Sequence, residues 1–149
     1  FLRLRLTTSL VRGSIIRAFL VSAGNKILAI FDERRRYDFY YRSLYSEQRW
    51  RDHQETLLDL EKTTRGRGIR LTVLILPEFH DFQHYQFSDI HKKVAGFFRD
   101  HGCPVLDALK EFNGKEATQF WVAGDDPHPG AQANQLIADF VFEGIKDRF

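Results

Sequence analysis

Leu71-Thr72-Val73-Leu74-Ile75-Leu76-Pro77 is a continuous apolar run, β-branched in part and closed by proline. Such a run predicts a strand buried on both faces, and hence a parallel sheet, because a strand with one wet face alternates polar and apolar residues. Upstream of it, Ser46 to about Thr64 has helical spacing. Ser46 is a fair N-cap, Trp50, Leu57, Leu58 and Glu61 lie close to one face, and Gly66 and Gly68 end the helix. Downstream, Glu78 to Phe87 reads as a loop rich in histidine and aromatic residues. Ser88 caps a further helix whose Ile90, Val94, Phe97 and Phe98 recur at i, i+4, i+7 and i+8, with Gly102 placed as its C′ residue. Pro104-Val105-Leu106-Asp107-Ala108 predicts a second short buried strand. A short helix and loop cover residues 109–120, and Phe120-Trp121-Val122 leads into Gly124-Asp125-Asp126-Pro127-His128-Pro129-Gly130. A last helix follows, with Ala133, Leu136, Ile137, Phe140, Val141 and Ile145 on its apolar face.

The outer segments are less patterned. The first 25 residues read as an irregular start and then a helix carrying Leu10, Ile15, Phe19 and Leu20, with Gly24-Asn25 as its stop. Ile27 to Phe31 is a short apolar run, and the aromatic stretch Tyr37 to Tyr45 reads as extended or loop. Helices alternating with buried strands predict one α/β domain over residues 1–149, layered on a parallel sheet. Two strands make a thin sheet against the roughly five or six that are usual, so further strands are expected upstream.

Composition supports a folded chain. Of 149 residues, 43% are hydrophobic and fourteen are Phe, enough apolar surface to offset the chain entropy lost on folding. The single cysteine, Cys103, excludes an internal disulfide, and its position after a helix C-terminus disfavours a nucleophilic thiolate. No run is long enough to span a bilayer: the best, Ser14 to Ala23, is short and holds Arg17. The chain has no methionine, which reads as a fragment, a processed chain or a trimmed one. Charge is uneven: residues 1–51 carry +7 and residues 52–149 carry −5. A basic half suits an anionic partner or a solvated face. No groove-reading or stacking motif accompanies it, so nucleic acid is not expected as a partner.

The chemistry concentrates in Asp125-Asp126-Pro127-His128. Asp125 and His128, three residues apart in a turn stiffened by Pro127 and Pro129, can face the same way. A carboxylate that accepts from one imidazole nitrogen fixes the tautomer and leaves the other to take a proton from a nucleophile. Asp126 is the rival for the orienting role. The competing reading is a surface turn in which Asp125 or Asp126 caps the last helix.

In this strand–loop–helix setting the stretch resembles the Asp-x-x-His block that precedes the last helix of SGNH/GDSL hydrolases, here continuing as Pro129-Gly130-Ala131-Gln132-Ala133-Asn134. The helix carrying Trp50, the run Leu71 to Pro77, the helix ending at Gly102 and Val105-Leu106-Asp107 also resemble that family's second half, so the likeness covers roughly residues 40–149. The resemblance implies a three-layer α/β/α, flavodoxin-like fold that is incomplete on its N-terminal side. It implies a serine ester hydrolase acting on a small-molecule or glycan ester without a cofactor. His128 would be the general base and then the acid, and Asp125 its orienting partner. The family's Gly-Asp-Ser block is absent: Gly13-Ser14 lacks the aspartate and sits in a helical pattern, and Gly24-Asn25 matches the family's oxyanion donors only as a dipeptide. The chain is therefore expected to need an upstream segment that supplies the nucleophilic serine, and to show little esterase activity alone.

Other clusters compete. Glu78, His80, Asp81 and His84 are dense, and His80 and His84 at i, i+4 would suit a metal on a helix, but Phe79, Phe82 and Tyr85 interleave as in a packed loop and no third ligand is fixed. His53, His91 and His101 read as surface or boundary residues, and Trp50 and Trp121 as core aromatics, with Trp121 near enough to Asp125 to line a pocket. A second functional reading is a non-catalytic accessory domain that engages an anionic polymer or protein through Arg34, Arg35 and Arg36.

Overall fold

The computed structural model describes residues 36–148. The expectations placed on Leu10 to Asn25, Ile27 to Phe31, Arg34 and Arg35 lie outside them. The chain divides into two compact units, Phe1–Ser46 and Glu47–Phe149.

In the first unit residues 36–44 are helical (α1), where the aromatic stretch read as extended or loop. Pairs at i, i+4 explain the difference: the Tyr37 and Tyr41 rings lie 5.3 Å apart, and Arg42 Nε donates to Asp38 Oδ1 at 2.7 Å. Both contacts exist only at helical spacing.

The second unit opens with α2, Glu47–Gly66. It buries Trp50 and Glu61, the latter held by Arg65 at i+4 with a 2.7 Å bond. The helix closes by a Schellman motif: Gly68 at φ 71° returns its N–H to Arg65 and Ile69 donates to Thr64. The chain then enters β1, Val73–Ile75, three residues of the longer apolar run. Next is α3, Ser88–Asp100, in which Ser88 is the first helical residue and Phe87 the cap, so no side chain caps it. Gly102, at φ 76°, again makes the Schellman turn, with Gly102 N–H on Arg99 and Cys103 N–H on Phe98. That turn delivers Pro104 to the sheet, and β2, Val105–Asp107, pairs parallel to β1 in the register Val73↔Val105, Ile75↔Asp107.

Short elements α4, Leu109–Phe112, and a 3-10 turn, Ala117–Phe120, lead to a hairpin of β3, Trp121–Ala123, and β4, Asp126–Pro129. The chain ends in α5, Ala131–Ile145, and a 3-10 turn, Lys146–Arg148. The fold is thus mixed α/β, with five helices, a two-stranded parallel sheet and a two-stranded hairpin among the described residues. Adjacent residues of β2 attach different helices: Asp107 bonds His91 of α3, and a Cβ on Gly144 of α5 would come within 2.7 Å of the Leu106 side chain. Since successive side chains of a strand point to opposite faces, α3 and α5 hold opposite faces of β2. Among the described residues β1 pairs with β2 alone, and its Leu74 and the following Leu76 are exposed.

The main core is aromatic and sits beyond the C-terminal ends of β1 and β2. Phe79, Phe82, Phe112 and Phe120 are all buried, with ring centroids 5.0–5.1 Å apart for Phe82–Phe112, Phe79–Phe82, Phe79–Phe112 and Phe112–Phe120. Most contacts are edge-on, the favoured geometry for ring quadrupoles. Leu136, Ile137 and Phe140 of α5 close the cluster from the other side. Phe82→Ala should therefore destabilise the chain by about 3–5 kcal/mol in denaturant titration, whereas Phe142→Ala, at an exposed site, should fall within about 0.5 kcal/mol of the parent.

Candidate functional site

The hairpin carries the Asp-Asp-Pro-His residues. Gly124 and Asp125 form its turn, and neither adopts positive φ. The turn therefore lacks the primed geometry whose twist matches that of paired strands. The mismatch is absorbed by a β-bulge. Trp121 pairs with Pro129 and Ala123 with Asp126, so two steps along β3 face three along β4, and the extra residue falls at Pro127-His128 opposite Val122. Bulges re-aim side chains, and this one turns His128 back along its own strand. His128 Nδ1 lies 2.5 Å from Asp126 Oδ1, and the His128 backbone N–H donates to the same oxygen at 3.1 Å.

The spacing favoured Asp125 as the orienting residue; the structure puts Asp126 on the imidazole and leaves Asp125 exposed in the turn. Nor does either aspartate cap α5. The cap is Gly130, without a side-chain bond, and Asn134 Nδ2 reaches back to the Pro129 carbonyl at 3.2 Å. Gly130 is required by space: a Cβ there would lie 2.6 Å from the Trp121 carbonyl oxygen, and its own N–H donates to Phe120 O at 2.7 Å.

The hydrogen bond from His128 holds the Asp126 carboxyl below its usual range, and burial opposes this. An Asp126 carboxylate binds Nδ1–H, so the tautomer leaves Nε2 as the acceptor. The pair is open to solvent, with side-chain exposures of 82% for His128 and 45% for Asp126.

A second carboxylate–imidazole pair lies at the end of β1. The Glu78 carboxylate accepts from the backbone N–H of His80 and is paired with His80 Nδ1. The two pairs share one local design, an acid two residues before a histidine, bonded to both its backbone and its ring. Trp121 joins them: its indole Nε1 donates to Phe79 O at 2.7 Å, its ring lies 6.3 Å from that of His80, and its backbone pairs with Pro129 beside His128.

Beside Glu78 runs a partly buried polar chain centred on His91. His91, expected at the surface or a boundary, is buried on α3. Its Nδ1 donates to Asp107 Oδ1 at 2.8 Å, and Nε2 accepts from the Tyr85 hydroxyl at 2.8 Å. The Tyr85 oxygen in turn accepts from Glu78 N–H at 3.1 Å, and Asp107 Oδ1 also accepts from Leu109 N–H at 3.0 Å. His91 lies one residue after Ile90 and at i, i+3, i+7 with Val94 and Phe98, a spacing that could have marked it as buried. Among the described residues no buried side-chain nitrogen or oxygen lacks a partner.

Asp81 Oδ1 accepts from the N–H groups of Gln83 and His84, an Asx-type turn, with His84 Nδ1 3.5 Å from Asp81 Oδ2. Among the described residues no three His, Cys, Asp or Glu side chains gather as a metal-binding group. Cys103 is buried, and that burial together with the nearby Glu61 pushes its thiol up, against the opposing pull of Arg65. Among the described residues, two clefts lie away from the hairpin. One of about 560 Å³ includes Glu61, Arg65 and Cys103 at the N-terminal ends of the strands, and one of about 690 Å³ runs between α2 and α3. Among the described residues no helix is long and apolar enough to cross a membrane.

Comparison with family models, with curated proteins and with solved structures returned no match.

The depressed Asp126 carboxyl gives a pH signature. A lowered carboxylate pKa means that the pairing is complete above the ordinary aspartate range and is lost only as pH falls through the lowered value. Carbon-13 NMR titration of Asp126 Cγ should show a midpoint below the usual 3.8, moving up toward that value in His128→Ala, where the ring bond is lost and the backbone N–H bond remains.

Proposed function

We propose that this chain supplies the acid–histidine half of a serine ester hydrolase of the SGNH type, with the nucleophilic serine coming from a segment outside these 149 residues. The observation that carries the reading is the Asp126–His128 pair: an imidazole with Nδ1 fixed by a carboxylate and its ring exposed, on a strand between the parallel unit and the last helix. In this reading His128 Nε2 takes the proton of a serine hydroxyl as the oxygen attacks the ester carbonyl. The imidazolium, stabilised by Asp126, returns the proton to the leaving alcohol, and water then repeats the sequence on the acyl-enzyme. Oxyanion donors come from the same outside segment.

The fold reading follows the same line. Helices α3 and α5 on opposite faces of β2 are what a three-layer α/β/α arrangement requires. In this reading further strands would add at the edge of β1 that no described strand occupies, and the exposed Leu74, with Leu76 just beyond the strand, would be covered by the same outside segment. The substrate class is an acyl ester of a small alcohol or a glycan.

The test is hydrolysis of p-nitrophenyl acetate by the full-length protein. Asp126→Asn should lower kcat by about 10³–10⁴-fold, as expected when the orienting carboxylate of a triad is neutralised, and His128→Ala by at least as much. Asp125→Asn should cost no more than a fewfold change. A large loss with Asp125→Asn and none with Asp126→Asn would reassign the orienting role to Asp125. Indifference to His128→Ala would remove the hydrolase reading and favour an accessory, binding role.

A further inference from the structure

The Glu78–His80 pair is not used by the mechanism above, yet it lies beyond the C-terminal end of β1 and is braced there through both the Glu78 backbone and its carboxylate. Resting on the hydrolase reading, we infer that His80 is a second functional imidazole of the same site, a specificity residue that hydrogen-bonds a hydroxyl on the alcohol part of the ester.

Three observations point there. The first is bracing. Asp107, His91, Tyr85 and Glu78 form a continuous hydrogen-bonded chain from the end of β2 to the backbone of Glu78, whose carboxylate then holds His80. A partly buried polar chain of this kind fixes one geometry; it fixes the Glu78 backbone, and the Glu78 carboxylate in turn holds His80. The second is exposure. Glu78 is nearly buried, at 13% of its side chain, while His80 is 41% exposed, so a restrained ring is reachable from solvent. The third is location. The pair follows directly after a parallel strand, where ligands of open α/β sheets bind, and Trp121 ties Phe79, between Glu78 and His80, to the strand pair that holds His128. An imidazole whose orientation is set by a carboxylate, beside an indole, suits a hydroxyl-bearing alcohol such as a sugar better than an alkyl one. Tyr85 and His91 are then positioning residues acting through Glu78.

The experiment compares kcat/KM of the full-length protein for 6-O-acetylglucose and for p-nitrophenyl acetate, in the parent, His80→Gln, His80→Ala and Tyr85→Phe, with thermal midpoints recorded for each. The ratio of sugar ester to aryl ester should fall about fivefold in both His80 variants, the loss expected for one neutral hydrogen bond, and chiefly through KM. Tyr85→Phe should lower the same ratio by a smaller factor. Equal losses on both esters, or a ratio unmoved in an active enzyme, would overturn the assignment and leave His80 a structural residue. A parent that cleaves neither ester would instead overturn the hydrolase reading on which the assignment rests.

Discussion

Four phenylalanines hold the chemistry of this chain in place. Phe79 and Phe82 lie in the segment between β1 and α3, Phe112 ends α4, and Phe120 immediately precedes β3; none is on the parallel sheet. Their edge-on and stacked contacts at about 5 Å convert a twelve-residue connection, which would otherwise be a solvated loop, into part of the core. Because Phe79 is buried, its neighbours Glu78 and His80 are fixed. Because Phe120 is buried, Trp121 starts the hairpin at a defined place. The hairpin then presents Asp126 and His128 on a backbone tied to the same aromatic cluster.

Polar groups around that cluster follow from its burial. A histidine on the sheet side of α3 must be paired, and His91 spends both ring nitrogens on Asp107 and Tyr85. Breaking one link would strand a buried polar group, which costs more than the intact bond contributes. The same constraint acts on the backbone: the Trp121 indole donates to Phe79 O and Gly130 N–H donates to Phe120 O, so two carbonyls of the aromatic segments are paired where the hairpin meets them. Two acid–x–histidine turns, built alike, emerge at the two ends of this framework. The Asp126–His128 pair is the more exposed of the two, and the Glu78 carboxylate is the more sheltered acid.

Much of this was legible in the sequence where periodicity or a glycine carried the signal. The apolar run ending at Pro77 marked a parallel strand, and Gly102 marked the end of α3 through the positive φ that it does adopt. The pair Tyr37 and Tyr41, like Asp38 and Arg42, sat at helical spacing in a stretch read as loop because aromatic density outweighed it. The hairpin was harder to see, since Pro127 and Pro129 argue against a strand and are tolerated here only beside a bulge. That bulge is also why Asp126 rather than Asp125 meets His128: a three-residue spacing describes a regular turn, and one extra residue in β4 changes which carboxylate faces the ring. That the loop packs was legible from the interleaved Phe79, Phe82 and Tyr85, but their partners were not, because these residues follow no period and only the assembled cluster shows what they pack against.

In the proposed mechanism His128 serves a serine outside these 149 residues. Fluorophosphonate labelling of the full-length protein, with the modified peptide located by mass spectrometry, tests it most directly. One labelled serine is expected, outside the 149-residue chain, with labelling lost in His128→Ala and absent from the 149-residue chain alone. Labelling at a serine inside residues 1–149, or labelling that persists without His128, would contradict it.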